Sequence, residues 1–343
     1  MDSFRIVDGS NTAWLAFAQS QPEATTFHHP AWLGLLATTY RYRPLVLTQT
    51  DQSGRIVAGL PMLEVRSWLT GHRFISLPFT DYCPPLGLDD ECLAQFAASF
   101  TQWWEGMGAP DVEVRARFPD ISHINRTSDA VRHILQLDVD LSRLERGLTP
   151  SWARAIRKAR HEGIEIDLTQ SASALPAFYR LHCMTRKRQG VPVQPKRYFE
   201  NLWTRIIQTG LGFVSLARIS GRPVAGAVFF SWNGNLIYKY GASDPGYLRA
   251  RPNNLAIWAG VEWGCRNGCR SLDFGRTLLV HQGLRNFKLG IGSIEMPLEY
   301  SYMGKRPLRA TSGVAMQTVS RVIQASPPIV GRAIGELLYR HFP

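Results

Sequence analysis

Lysine is missing from the first 150 residues of this chain. That stretch holds 12 Arg against 17 Asp plus Glu, a net charge of −5. Residues 151–343 hold 27 Lys plus Arg against 10 acidic residues, a net of +17, so all of the excess of +12 lies there. Cysteine is scarce too, with five residues in 343, which excludes a disulfide scaffold. Cys265 and Cys269 are four apart and are expected to share a helix face. Two further ligands at metal spacing are missing and no HExxH occurs, so buried thiols are expected, and no metal or redox cofactor. No run of about 18 uncharged apolar residues exists, so no spanning helix is expected. The start, Met1-Asp2-Ser3-Phe4-Arg5, lacks the basic-then-apolar pattern of a secretory signal. A cytoplasmic location is expected, with peripheral contact at the inner face of the plasma membrane left open. GxSxG, Walker A and complete GxGxxG motifs are absent, which removes their chemistries from consideration. The pair His28-His29 has no matching metal spacing and is expected to serve helix entry.

What is present describes a globular protein. Hydrophobic residues are 45% and charged residues 19%, and 343 residues suit two domains. The basic second part either attracts an anion, such as phosphate, pyrophosphate, tRNA or an anionic lipid head group, or serves solubility.

Periodicity gives the element order. Pro30–Tyr40 has helical spacing of Trp32, Leu35, Leu36 and Tyr40. Strands follow at 44–50 and 55–65 around the turn Asp51-Gln52-Ser53-Gly54, and at 74–77. A helix over 89–107 begins at Asp89 or Asp90, and strands lie at 111–115 and 133–139. A second cycle opens at Thr149-Pro150, with Trp152, Ile156, Ala159 and Gly163 on one stripe and Arg154, Arg157, Lys158 and His161 on another. A strand at 164–168, helices at 175–189 and 195–208, and a meander at 213–219, 223–232 and 236–242 follow. A helix at 252–267, a strand at 271–274, a helix at 282–289 and a strand at 295–302 complete it. Both cycles read as helix pair, antiparallel meander, helix, strand. The expected fold is α/β (α+β), with two tandem domains at 1–148 and 149–308 and a helical tail at 309–343. In the tail Val314, Val319, Val322 and Ile323 face one way, with Arg321 and Arg332 nearby, and it either packs on the body or rests on a membrane.

Several stretches between 150 and 305 resemble, in order, the second domain of the Fem-type peptidyltransferases within the GNAT superfamily. They are Arg154-Ala-Ile-Arg157-Lys158-Ala159, Thr185-Arg-Lys-Arg188-Gln-Gly190, Tyr238-Lys-Tyr240-Gly241-Ala242-Ser243, Pro252-Asn253, Asp273-Phe274-Gly275-Arg276-Thr277 and Gly283-Leu-Arg285-Asn-Phe287-Lys288. Phe27-His28-His29-Pro30-Ala31-Trp32 resembles the family's entry segment. The closest likeness is to a branch associated with exopolysaccharide and exosortase neighbourhoods. The resemblance implies an acyl- or aminoacyltransferase that forms an amide on a peptidoglycan or exopolysaccharide precursor. Its donor would be aminoacyl-tRNA or acyl-CoA, and its acceptor an anionic lipid- or nucleotide-linked saccharide. A non-catalytic envelope protein is the alternative from another class.

Acyl transfer to an amine needs the amine deprotonated, the carbonyl oxygen stabilised and the carriers held. Lys288 matches the family lysine that stabilises charge at the carbonyl, or is a solvated helix lysine. Asp273, at a strand end, either positions the amine or caps the turn at Gly275. Arg188 matches the position that contacts acceptor diphosphate. Arg276 and Arg285 hold phosphate or lie on the surface. Tyr238 and Tyr240 are expected on one strand face, in a channel or in the core. Asn253 opens the helix where a carrier's phosphates bind in this fold. Residues 246–254 lack the glycines of a CoA loop, which favours a tRNA-type donor met by the Arg249 and Arg251 side chains. The cluster Arg154, Arg157, Lys158 and Arg160 meets RNA or lipid phosphate, or is a solvated face.

Overall fold

The computed structural model describes residues 3–304 and 314–341. In the first 136 residues come β1 (Ser3–Val7), α1 (Thr12–Ser20), α2 (Pro30–Tyr40), β2 (Arg43–Thr50), β3 (Ile56–Ser67), β4 (Gly71–Ile75), β5 (Leu86–Gly87), α3 (Asp90–Gly106), β6 (Asp111–Val114) and β7 (Asn125–Gln136). Then follow α4 (Leu141–Gly147), α5 (Pro150–His161), β8 (Glu165–Thr169), α6 (Leu175–Gln189), α7 (Lys196–Leu202), β9 (Gly212–Ile219), β10 (Arg222–Trp232), β11 (Asn235–Ser243), α8 (Pro252–Arg266), β12 (Ser271–Leu278), α9 (Gln282–Leu289) and β13 (Ile294–Met303). The tail carries α10 (Val314–Ala325) and α11 (Pro328–Leu338).

Two units share these elements, and they are not consecutive halves. The first comprises 3–131, 297–304 and 340–341; the second comprises 132–296 and 314–339. The division between these units falls inside β7, and β13 begins in the second unit and ends in the first.

In the first unit β2, β3 and β4 form an antiparallel meander, β1 pairs with β2, and β6 runs parallel to β4. The end of β13 pairs antiparallel with β6. Alternation along β3 sends Ala58, Leu60 and Met62 into a core with Phe96, Phe100 and Trp104 of α3. The opposite face carries α1 and α2. His29 caps α2, its Nδ1 accepting from the Ala31 amide at 3.0 Å, so the expected helix-entry role is realised.

In the second unit β8, β9, β10 and β11 are antiparallel neighbours, and β12 runs parallel to β11. Helix α8 covers one face, with α5 beside it; the core there includes Trp152, Ile156, Phe229, Trp258 and Phe274. The other face carries α6, where Phe178 lies against Gly226, and α7. Arg186 donates from Nη2 to the Tyr339 hydroxyl at 2.6 Å and the Val193 amide donates to the Gly331 carbonyl, so the tail packs on α6 and its flank. The Val314 and Val319 side chains lie outside the described residues. Val322 is exposed while Ile323 is buried, so those two do not face one way. Cys269 lies beyond the end of α8, so it shares no helix face with Cys265; burial pushes both thiols up, and no metal-holding cluster occurs among the described residues.

Candidate active site

Strands β11 and β12 pair in register from Asn235–Ser271 to Ile237–Asp273, and there the pairing stops. Both strands continue, β11 to Ser243 and β12 to Leu278. Two parallel strands that run on unpaired leave backbone groups and a gap between them. This gap is the candidate site.

Gly275 is its pivot. Its φ of +68° breaks the regular strand, which glycine allows without a Cβ clash. Asp273 accepts the Gly275 amide on Oδ1 at 2.7 Å, and its Oδ2 takes Arg132 Nε at 3.1 Å and Nη2 at 2.9 Å. Of its two expected roles, Asp273 is thus seen in the turn-capping one, ion-paired besides. From the other side Lys288, on α9 and buried, donates from Nζ to the carbonyls of Phe274 at 2.6 Å and Gly275 at 3.1 Å. The solvated-lysine reading is overturned. Asp273 and Lys288 bracket one turn, and a positive charge is stored at the edge of the gap. Helix α9 is held for this by Trp152, whose indole donates to the Phe287 carbonyl at 2.8 Å.

Arg285 does not face the gap as a free phosphate ligand. It grips Glu295 through Nε at 2.8 Å and Nη2 at 2.7 Å, and Glu295 also meets His133 Nε2 at 3.1 Å. The guanidinium holds the Glu295 carboxyl below its usual range. Burial, and then the Lys288 charge, push His133 down against the opposing pull of Glu295. Arg132 and His133 are consecutive on β7 and point to opposite faces, so Asp273 and Arg285 are served from opposite faces of the sheet. Arg132, His133 and Glu295 escaped the sequence reading. The alternation of β7 is the available signal, but the strand expected at 133–139 begins in fact at Asn125.

The two tyrosines also part. Phe229 faces Tyr238 and Val228 faces Tyr240, so Lys239 is an extra residue in a bulge. The expectation of one shared face fails for that reason. Tyr238 packs on Phe229 and Phe274 toward α8, and burial pushes its phenol up. Tyr240 turns toward α6 and α7, its hydroxyl 2.7 Å from that of Tyr198.

Arg188 ends α6 beside the left-handed cap Gly190 and reaches the Ser243 hydroxyl at 3.5 Å. With Met184, Lys187, Pro245 and Gln324 it lines a pocket of about 510 Å³. Asp273, Arg276 and Lys288 are not among those lining residues, so the four side chains do not share this pocket. Arg276 follows the Gly275 pivot, half-buried. Arg249 and Arg251 are exposed on the segment leading into α8, and Asn253 is half-buried in its first turn. Residues Pro245–Ala250 form a 3-10 helix capped by Asp244, which accepts the Gly246 amide at 2.9 Å. The Tyr247 and Arg251 amides donate to the Asp244 and Leu248 carbonyls.

Residues 151–289 match the model of the acetyltransferase (GNAT) domain, which puts the chain among the transferases. Its fold is the Fem-type, tandem-GNAT one. FemX is similar over 94% of this chain and 100% of its own, at 13% identity and a TM-score of 0.68. L-PGS from Bacillus licheniformis is similar over 93% and 99%, at 14% identity and a TM-score of 0.58. A tandem GNAT protein of the clavulanic acid biosynthesis pathway follows over 89% and 100%, at 10% identity and a TM-score of 0.52. At such identities the likeness is one of fold. No curated protein matches the sequence.

Proposed function

We propose that the chain transfers an aminoacyl group from tRNA to an amine on a cell-envelope precursor, forming an amide. The observation that carries this reading is the gap between β11 and β12 with a buried ammonium at its rim. The amine nitrogen attacks the ester carbonyl, the ester C–O bond breaks, and the amine proton leaves with the tRNA hydroxyl. Lys288 is assigned the charge on the carbonyl oxygen, a task for a water-excluded cation. Asp273, through Arg132 and the Gly275 turn, keeps that rim in place. Arg188 with Lys187 is assigned the acceptor's phosphates, and Arg276, just past the Gly275 pivot on β12, is assigned phosphate as well. Tyr238 and Tyr240 wall the gap on opposite faces. The acceptor is peptidoglycan- or exopolysaccharide-linked, and the enzyme works in the cytoplasm.

The loop before α8 supports tRNA over CoA. A CoA pyrophosphate is cradled by backbone amides at a helix start. Here the Gly246, Tyr247 and Arg251 amides already donate within the loop, and the Asp244 carboxylate sits among them. Arg249 and Arg251 remain exposed for phosphate by side chain. An acyl-CoA-dependent N-acyltransferase is the second reading, favoured by the GNAT domain match. Purified protein is mixed with charged tRNAs and, separately, with acyl-CoAs and amino-sugar acceptors. Transfer from tRNA alone is expected; transfer from CoA thioesters alone replaces the donor.

A further inference from the structure

The hairpin joining β3 to β4 carries a surface that acyl transfer does not use. Trp68 is 85% exposed and Leu69 47% exposed at its tip. Large apolar side chains in water at a turn are costly unless something covers them. The tip is nevertheless ordered. The Ser67 hydroxyl accepts the Leu69 and Thr70 amides, each at 3.1 Å, and lies 2.9 Å from His341 Nδ1. The Thr70 hydroxyl donates to the His341 carbonyl at 2.8 Å, and the Trp68 ring meets the His341 ring edge-on at 5.5 Å. Trp68 and Leu69 are thus presented from a built turn.

Arginines ring this tip, although residues 1–150 as a whole are net acidic. Arg43 and Arg66, about three-quarters exposed, both bond to the single buried carboxylate of Glu64, which leaves a positive charge over. Arg73 anchors the turn through the Thr70 carbonyl at 2.8 Å, with Asp111 and Glu113 acting on it from β6. Arg340 is exposed and its carbonyl accepts the Tyr42 hydroxyl at 2.9 Å.

We propose that the β3–β4 hairpin is an interfacial anchor that docks the chain on an anionic lipid bilayer, with Trp68 and Leu69 entering the head-group region and the surrounding arginines meeting lipid phosphates. Indole is suited to that interface because its body is apolar and its N–H is not. Guanidinium pairs with phosphate in two-pronged fashion, and the two contributions add at a membrane surface. This anchor is built from residues of the first unit alone, Arg340 and His341 included.

The test uses the full chain sedimented with vesicles of phosphatidylglycerol and phosphatidylcholine, and with phosphatidylcholine alone. Binding to the anionic vesicles only is expected, falling as salt rises. Trp68→Ser/Leu69→Ser is expected to weaken it at least about tenfold. Both side chains are solvent-exposed, so the melting temperature and circular dichroism of the variant stay those of the parent. Hydrogen exchange supplies a second readout, with vesicle-dependent slowing confined to residues 66–72. No binding by the intact chain overturns the proposal. So does undiminished binding by the variant, or a variant that keeps vesicle binding but loses affinity for tRNA.

Discussion

The two units run the same course, an antiparallel meander, a covering helix and then a parallel strand, yet they finish it differently. In the first, β4 pairs with β6 to Ile75–Glu113 and the pairing goes on. The Ser76 amide donates to the Glu113 carbonyl at 2.8 Å, and the Arg115 amide to the Ser76 hydroxyl at 2.7 Å. Glu113 and Arg115, each about a tenth exposed, close the place with an ion pair of 2.8 Å. In the second unit the corresponding pairing ends at Ile237–Asp273, and a glycine turn, a bulge and a lysine occupy the next few residues. One crossing is sealed and the other is open. The difference teaches that the same strand crossing is left unzipped in one unit and closed with polar groups in the other, and the proposed site uses only the unzipped one.

The largest expected effects test that contrast with paired variants. Lys288→Ala is expected to lower kcat/KM for acyl transfer by about 10²–10³. It also leaves two carbonyls unsatisfied, at a stability cost of about 1–3 kcal/mol. Glu113→Ala strands the Arg115 charge and is expected to cost about 3–5 kcal/mol of stability, with kcat/KM per folded molecule unchanged. Urea midpoints and initial rates on the same samples separate the two. Equal loss of rate in both variants would mean that the sealed unit also hosts chemistry.

A smaller effect comes from pH. Each unit buries a neutral histidine. His28 in the first accepts the Thr25 amide on Nδ1 at 3.1 Å and bonds the Pro84 carbonyl through Nε2, and burial pushes it down to about 4. His182 in the second bonds Gln194 at 2.8 Å and is pushed down to about 3, chiefly by burial. The unfolded chain takes up these protons near pH 6.5 and the folded chain does not. Stability from each is therefore complete above about pH 6.5 and falls as pH drops toward the folded values, by about 2 kcal/mol per histidine at pH 5. The urea midpoint is expected to fall between pH 7 and pH 5. His29, which burial also pushes down to about 4, adds a comparable share, so His28→Gln and His182→Gln should each remove about a third of the total. A variant whose midpoint falls as steeply as the parent's breaks the assignment for its unit.

How much of this was legible depends on what marks an element. Helices α2, α6 and α9 begin and end where they were read, because Pro30 sits at a first turn, Gly190 at a left-handed end and a periodic apolar stripe lies between such marks. The strand β1 and helices α1 and α4 were missed; α1 and α4 are nine and seven residues long, too short for their period to stand out. The site's residue types were visible, but their partners were not. Asp273 is tied by Arg132, 141 positions away, and no local spacing announces such a pair. The Lys239 bulge reverses the face of Tyr240, and alternation read from sequence carries no sign of an inserted residue.

The smallest effect compares the helices that cover the two meanders. Alanine is a better helix former than glycine by up to about 1 kcal/mol. In α3, a Cβ on Gly106 meets nothing within 4 Å, so Gly106→Ala is expected to gain a few tenths of a kcal/mol at that frayed end. In α8, a Cβ on Gly260 runs into the Phe229 ring, which the core holds against Phe213 and Tyr238. Overpacking of that kind costs about 1–3 kcal/mol, so Gly260→Ala is expected to lose up to about 2 kcal/mol net. Phe229 also faces Tyr238 across the strand pair that precedes the gap, so the displaced ring would press on the wall of the site. Melting curves of the two variants should move in opposite directions. If Gly260→Ala melts above the parent, the sheet beneath α8 has slack that the packing does not show, and the gap's width is not set by that contact.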